Sequence, residues 1–362
     1  MSYYAEKYFF EDETTIEANQ RLAEGKLVLD WFDVDAEKVR VVPSDFNRGL
    51  TYDDCNVGGY GWDAIPENIR RNYSMAARGS VLVPGLPDLG YTLNRKSEVW
   101  SNNCAELYEE SKSRRWAPAV DIDWEAVRAN PLSPPCTHAM RQLCTALLEI
   151  ALGILEFPGR WVFWINQEFL ELKSLHCAQM IDQARHVEVF RKRAMTIGGL
   201  GRASVAIEQA VKELISADTY TSGSLSVFLM LNSIVLGLFR TASSASSVDA
   251  KMFRLCMQDT ARQIAYATGQ LRFFLGEHPA KSLVLHEHLD QTEHVMVGIL
   301  AAPELLEPLI VLAGGGTSAA QVSAGRDKVL AMHRGVIGEY LERLASVGLE
   351  RRGRTRLEKV FS

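Results

Sequence analysis

A five-residue pattern occurs twice in this chain, as Asp182-Gln183-Ala184-Arg185-His186 and as Asp259-Thr260-Ala261-Arg262-Gln263. The copies start 77 residues apart, and both fall inside long segments whose apolar residues recur at helical spacing. An Asp and an Arg three residues apart share one face of a helix. The flanking residues match as well, DQARHVEVF against DTARQIAYA. A repeat of helices built this way is the sequence form of a two-fold pseudosymmetric bundle, so the pattern points to helices packed on helices.

The remainder of the chain agrees with that constraint. Of 362 residues 47% are hydrophobic, ample for a well-packed core, and strand-like alternation is scarce. Residues 1–95 are rich in aromatics, glycine and proline (Gly58, Gly59, Gly61, Pro66, Pro84, Pro87) and predict an irregular N-terminal wrap with one short helix near 15–23. The spacing predicts an amphipathic helix over 101–115, a proline break over 130–135, and long helices over 137–156, 161–195, 222–241 and 248–277. Pro158-Gly159 is read as separating the first two, and Gly198, Gly199 and Gly201 as ending the second. A polar helix is expected at 203–217, with further helices at 280–300 and 318–347. The expected organisation is therefore all-α: an N-terminal extension to residue 95, a helical bundle over 96–300, and C-terminal helices over 301–362 packed on it.

Several function classes are set aside by composition. The formal charge is −6, with basic residues dispersed except for Arg351, Arg352, Arg354 and Arg356, so no nucleic-acid partner is expected. That basic stretch reads as a solvated helix end. Cys55, Cys104, Cys136, Cys144, Cys177 and Cys256 form no C-x-x-C pair and read as buried thiols of a reducing compartment, which makes a cytoplasmic location the expectation. The first fifteen residues lack the basic and apolar regions of a secretory leader. The apolar run 225–239 is interrupted by Ser226, Asn232 and Ser233 and is too short to span a bilayer comfortably, so it reads as a buried core helix rather than a membrane anchor.

The two copies resemble the motif of the ferritin-like di-iron oxygenases, relatives of the bacterial multicomponent monooxygenases, the ribonucleotide reductase small subunit and the arylamine N-oxygenases. The resemblance covers roughly residues 97–300. That family carries a Glu on the first core helix, Glu-x-x-His on the second, a Glu on the third and Glu-x-x-His on the fourth. Matched residue by residue, Gln183 stands at a Glu position and His186 at a retained His. Asn232 stands at the third helix's Glu, and Thr260 and Gln263 stand at the fourth helix's Glu and His. On the first helix the ligand position is either 149, where Glu149 survives, or 151, where Ala151 replaces it. These two differ by about 200° around a helix, so only one can face the core. The resemblance also implies that Asp182, Arg185, Asp259 and Arg262 orient the ligands from outside, with Asp182 crossing to Arg262 and Asp259 to Arg185.

Two iron ions in a dry interior need several carboxylates to offset their charge, and neutral amides do not supply it. The chain is therefore expected to hold no di-iron centre, no cofactor and no catalytic residue, its changed positions forming a neutral hydrogen-bonded cluster. What the resemblance implies is a metal-free subunit paired with a metal-binding ferritin-like paralogue in a hetero-oligomeric oxygenase, the partner holding the di-iron site. Two alternatives stay open: an active oxygenase with a rearranged site using Glu149 and His186, and a hydrophobic small-molecule binding module.

Other motifs have plainer readings. His176, Gln179, Gln183 and His186 share one helical face, but His176 and His186 stand about 15 Å apart along the axis and cannot bind one ion, so they read as an inward polar stripe. His286, Glu287, His288, Glu293 and His294 lack the i, i+4 histidines of a zincin and read as a surface helix. Gly314, Gly315 and Gly316 read as a helix-to-helix connection, and Trp161, Phe163, Trp164 and Phe169 as core packing.

Overall fold

The computed structural model describes residues 8–33, 42–52, 54–55, 65–69, 75–78, 80–247 and 249–360; Gly58, Gly59 and Gly61 lie outside them. The chain divides into two compact units, Met1–Lys96 with Trp164–Leu170, and Ser97–Phe163 with Glu171–Ser362. Among the described residues no strand forms, and the only bridges are isolated, Asn68 with Arg95 and Leu93 with Ile165.

The first unit is irregular. Its one helix of more than a single turn among the described residues, α1 (Glu13–Ala23), starts at Asp12, whose carboxylate accepts from the Thr15 amide, and buries no residue. Residues 164–166 join this unit by backbone hydrogen bonds: Leu93 donates to Trp164, and Asn166 donates to Leu93, at 3.0 Å each.

The second unit is an all-α bundle. It runs α2 (Cys104–Ser113), α3 (Trp124–Ala129), α4 (Pro134–Val162), α5 (Leu170–Met195), α6 (Val205–Ile215), α7 (Tyr220–Ala245), α8 (Ala250–Glu277), α9 (Ser282–Thr292), α10 (His294–Ala301), α11 (Pro303–Gly314) and α12 (Ala319–Ser346). Helix α7 packs along α8, α11 packs along both α4 and α12, and α12 closes on α7. Side chains such as Leu143, Phe157, Phe190, Phe228, Phe239 and Phe253 are fully buried between them. Each such burial contributes about 1.5–3 kcal/mol. Helix α5 is different: its inner face carries Glu171, His176, Gln179, Asp182, Gln183 and His186, all buried.

Four expectations are corrected here. Helix α4 runs through Pro158 and Gly159 to Val162, because a proline in the last turn and a half removes only one hydrogen bond while Phe157 and Trp161 beside it are buried. The predicted 280–300 helix is two helices parted at Glu293, which turns its carboxylate to Arg351. Arg351 is itself fully buried rather than solvated, held by Glu293 at 2.7 Å and by Asp290 at 2.8 Å. All six cysteines are free, but Cys55 and Cys177 are exposed.

Between α11 and α12 the backbones approach closely because glycine faces glycine. A Cβ built at Gly325 would stand 2.0 Å from the Ile310 carbonyl oxygen and 3.0 Å from the Gly314 nitrogen. Backbone cannot give way as a side chain does, so Gly325→Ala is expected to lower stability by about 1–3 kcal/mol, read as a shift in chemical-denaturation midpoint.

Candidate functional site

The two copies of the repeat meet across α5 and α8. Arg262 Nη2 donates to Asp182 Oδ2 at 3.0 Å, and Arg185 Nη2 donates to Asp259 Oδ2 at 3.3 Å, the crossed pairing that the resemblance implies. Each Arg also binds the Asp three residues before it on its own helix, Arg185 to Asp182 and Arg262 to Asp259. Two cations and two anions thus close a buried, neutral ring. Asp259 receives two more contacts through Oδ2, from the Trp116 indole N–H at 2.8 Å and from His186 Nε2 at 3.2 Å. Burial pushes the Asp259 carboxyl up, but His186, Arg262 and Arg185 outweigh it and hold the group below the ordinary range. Asp182 stands above that range, raised by burial and by the Asp259 charge. A further buried pair, Arg193 Nε to Asp249 Oδ1 at 2.6 Å, ties the end of α5 to the start of α8.

The positions matched to metal ligands lie on the same two helices and on α7. Gln183 and Asn232 both donate to Gln263 Oε1, at 3.1 and 2.9 Å. Thr260 donates to the Cys256 carbonyl of its own helix at 2.9 Å. The neutral cluster therefore forms only in part. It joins three amides, leaves Thr260 to its own backbone, and leaves His186 to Asp259. Gln183 Oε1, Asn232 Oδ1 and Gln263 Nε2 have no protein partner.

On α4 the alternative between positions 149 and 151 resolves. Glu149 is half-buried, accepts from the Ser204 amide at 3.2 Å, and lines a surface cleft with Leu152 and Val205, whereas Ala151 is buried. Its carboxyl is raised by burial in spite of that hydrogen bond. Glu149 and His186 are thus not brought together. Three amides, one hydroxyl, an imidazole turned to Asp259 and an alanine do not match the donor set of a di-iron centre. Among the described residues, no three His, Cys, Asp or Glu side chains gather as a metal ion would require.

A second polar group occupies the neighbouring turns of the bundle. His176 Nε2 lies 2.7 Å from the Tyr220 hydroxyl, Tyr220 bonds Tyr266, and Tyr266 donates to the Val99 carbonyl at 2.7 Å. Gln179 Oε1 lies 2.7 Å from His176 Nδ1. A carbonyl has no proton to give, so counting protons fixes one direction: Tyr220 donates to Tyr266, and His176 Nε2–H donates to Tyr220. Nδ1 of the neutral ring is then an acceptor, and turning the Gln179 amide, whose Nε2 has no protein partner as placed, supplies the N–H it needs. Burial pushes both tyrosines well above their usual range and brings His176 down from 6.5 to about 4, despite the Gln179 hydrogen bond.

Because the folded-state pKa lies below the unfolded one, His176 contributes stability above pH 6.5 that is lost as pH falls toward 4 and changes no further below it. That contribution is about 3 kcal/mol. His333, also brought down to about 4 by burial, adds to the same window. Urea midpoints taken between pH 7 and 4 are expected to fall steeply, and less steeply in His176→Gln.

Sequence reasoning placed His176 in an inward stripe but missed Tyr220 and Tyr266, which come from α7 and α8 and carry no local signal. It also missed Trp116, whose indole caps Asp259. The expectation of a surface helix at 286–294 fails for His286, which is 8% exposed, and for His288, which bonds Ser226 at 2.6 Å. The wide π-helical turn over Ser224–Leu231 sets the phase of α7 and delivers Asn232 to Gln263.

Bundle and ion-pair ring together define a ferritin-like all-α fold. No family model matches the chain, and no curated protein matches it. Among solved structures it is similar to variants of an R2-like ligand-binding oxidase. One with an anaerobically reconstituted Mn/Fe cofactor is 17% identical, with a TM-score of 0.53 over 68% of this chain and 94% of that one. Another, with an aerobically reconstituted Mn/Fe cofactor, is 16% identical with a TM-score of 0.51 over the same shares. A third carries an Fe/Fe cofactor and is 17% identical, with a TM-score of 0.50. At these identities the likeness is one of fold.

Proposed function

We propose that this chain is a non-catalytic, metal-free ferritin-like subunit that supports a metal-binding paralogue in a hetero-oligomeric oxygenase of the cytoplasm. One observation carries the reading: the positions matched to ligands hold neutral side chains while all four charges that surround them are kept and paired. A carboxylate-rich core is unstable without its metal, whereas this one is charge-balanced alone and folds independently of metal supply. Such a chain suits a supporting role, leaving to its partner the Mn/Fe or Fe/Fe chemistry that the structural neighbours carry. The rearranged-site alternative loses its basis because Glu149 bonds Ser204 rather than joining His186.

The test combines composition and assembly. After aerobic exposure to Fe(II) and Mn(II), the purified chain is expected to take up no stoichiometric metal. Purified from its own source through a tag, it is expected to bring down a ferritin-like polypeptide with both Glu-x-x-His motifs intact, identified by mass spectrometry. Two metal ions per chain, or a stable monomer from that source without such a companion, would overturn the reading.

A further inference from the structure

We infer that the three core amides bind one ordered water molecule in place of a metal ion. Gln183 is 1% exposed, and Asn232 and Gln263 are 0% exposed, yet each leaves one polar atom without a protein partner: two carbonyl oxygens, Gln183 Oε1 and Asn232 Oδ1, and one nitrogen, Gln263 Nε2. Buried polar atoms of native proteins are satisfied by protein or by internal water, so these three atoms define what must meet them.

The set of atoms selects the ligand. A cation requires acceptors only and an anion donors only. Here both kinds are present, and the nitrogen would point its protons at any bound cation. Water donates two hydrogen bonds and accepts up to two, so it can donate to Gln183 Oε1 and Asn232 Oδ1 while accepting from Gln263 Nε2.

Either orientation of the amides selects the same kind of ligand. Turning one amide alone sets nitrogen against nitrogen, or oxygen against oxygen, at the Gln263 hub. Turning all three together lets Gln263 Nε2 donate one proton to each neighbour, and leaves Gln183 Nε2, Asn232 Nδ2 and Gln263 Oε1 open. That set is again mixed, with donors and acceptor exchanged, and a neutral molecule with both capacities is again the one that fits. The surroundings add no net charge to favour an ion, because the Asp182, Arg185, Asp259 and Arg262 ring beside the amides is closed on itself. The inference shares with the proposed function only the lack of metal and does not depend on a partner. A hydrated site in a chain without a paralogue, or a dry site in a chain with one, would separate the two.

A crystal structure at near-atomic resolution, with anomalous data at the iron and manganese edges, tests it. The expected result is one peak of the height of a water oxygen, within hydrogen-bonding distance of all three amides and without anomalous signal. In solution, oxygen-17 relaxation dispersion is expected to count one fewer long-lived water in Gln263→Met than in the parent chain, with Gln183→Met as the second variant should the first fail to fold. An anomalous peak among the amides would overturn the inference. So would a dry site with every amide atom paired to protein, or an unchanged count of long-lived waters in the folded variant.

Discussion

Placing the family's metal ligands at Gln183, Asn232, Thr260 and Gln263 of α5, α7 and α8 is expected to make the protein's stability depend on metal. The variant combines Gln183→Glu, Asn232→Glu, Thr260→Glu and Gln263→His with the His186 already present. Without metal, three carboxylates would crowd a region where the parent residues are at most 1% exposed. Like charges in a dry interior raise one another's pKa, and uncompensated buried charge costs about 3–5 kcal/mol, so the metal-free variant should melt well below the parent. A divalent ion supplies the missing countercharge. At a thousandfold excess over its dissociation constant it returns about 4 kcal/mol. His186 would trade its Asp259 contact for the ion, while Asp259 keeps Trp116, Arg185 and Arg262. Thermal melting with and without Fe(II) or Mn(II), together with metal analysis, checks this. Melting that ignores the metal would show that the scaffold no longer supports the ligand geometry, and the resemblance at these positions would lose its force.

What could be read from the sequence divides by the range of the interaction involved. The ion-pair ring was legible because the two copies recur in matching contexts and resemble a family motif in which Asp and Arg cross between the helices. Distance in the chain did not hide it. The three-amide hub was half legible: residue types showed that the cluster would be neutral, but which atoms would be left over depends on side-chain directions that no periodicity encodes. Glu149 and Ala151 were indistinguishable in sequence, since a helix face is chosen by its neighbours, and it is Ser204 on the approach to α6 that claims Glu149. Arg351 misled for the opposite reason. Four arginines close together look solvated, yet Arg351 meets Glu293, whose carboxylate also accepts from Thr355 and Tyr340, in a pocket assembled from three separate segments. The π turn of α7 was invisible, because a run such as 225–231, with Ser226 its one polar residue, carries no repeating polar pattern to show its phase.

Removing one corner of the ring should cost more than any other single change to the bundle's polar core. In Arg262→Met, Asp182 and Asp259 lose the guanidinium they share, leaving two buried carboxylates with Arg185 alone. The expected loss is about 3–5 kcal/mol, because the remaining charge is desolvated without compensation. Adding Asp182→Asn should recover part of that loss, with a coupling between the two sites above about 1 kcal/mol in a double-mutant cycle. The pH dependence tells this account from simple loss of packing. Asp182 already stands above the ordinary carboxylate range, and losing Arg262 raises it further. A carboxyl whose folded-state pKa lies above its unfolded value is protonated in both states at low pH, so the penalty is absent there and grows as pH rises through the unfolded pKa toward the folded one. The deficit of Arg262→Met relative to the parent should therefore shrink as pH falls from 7 toward the ordinary carboxylate range. A deficit that stays constant across that range would assign the ring to packing rather than charge.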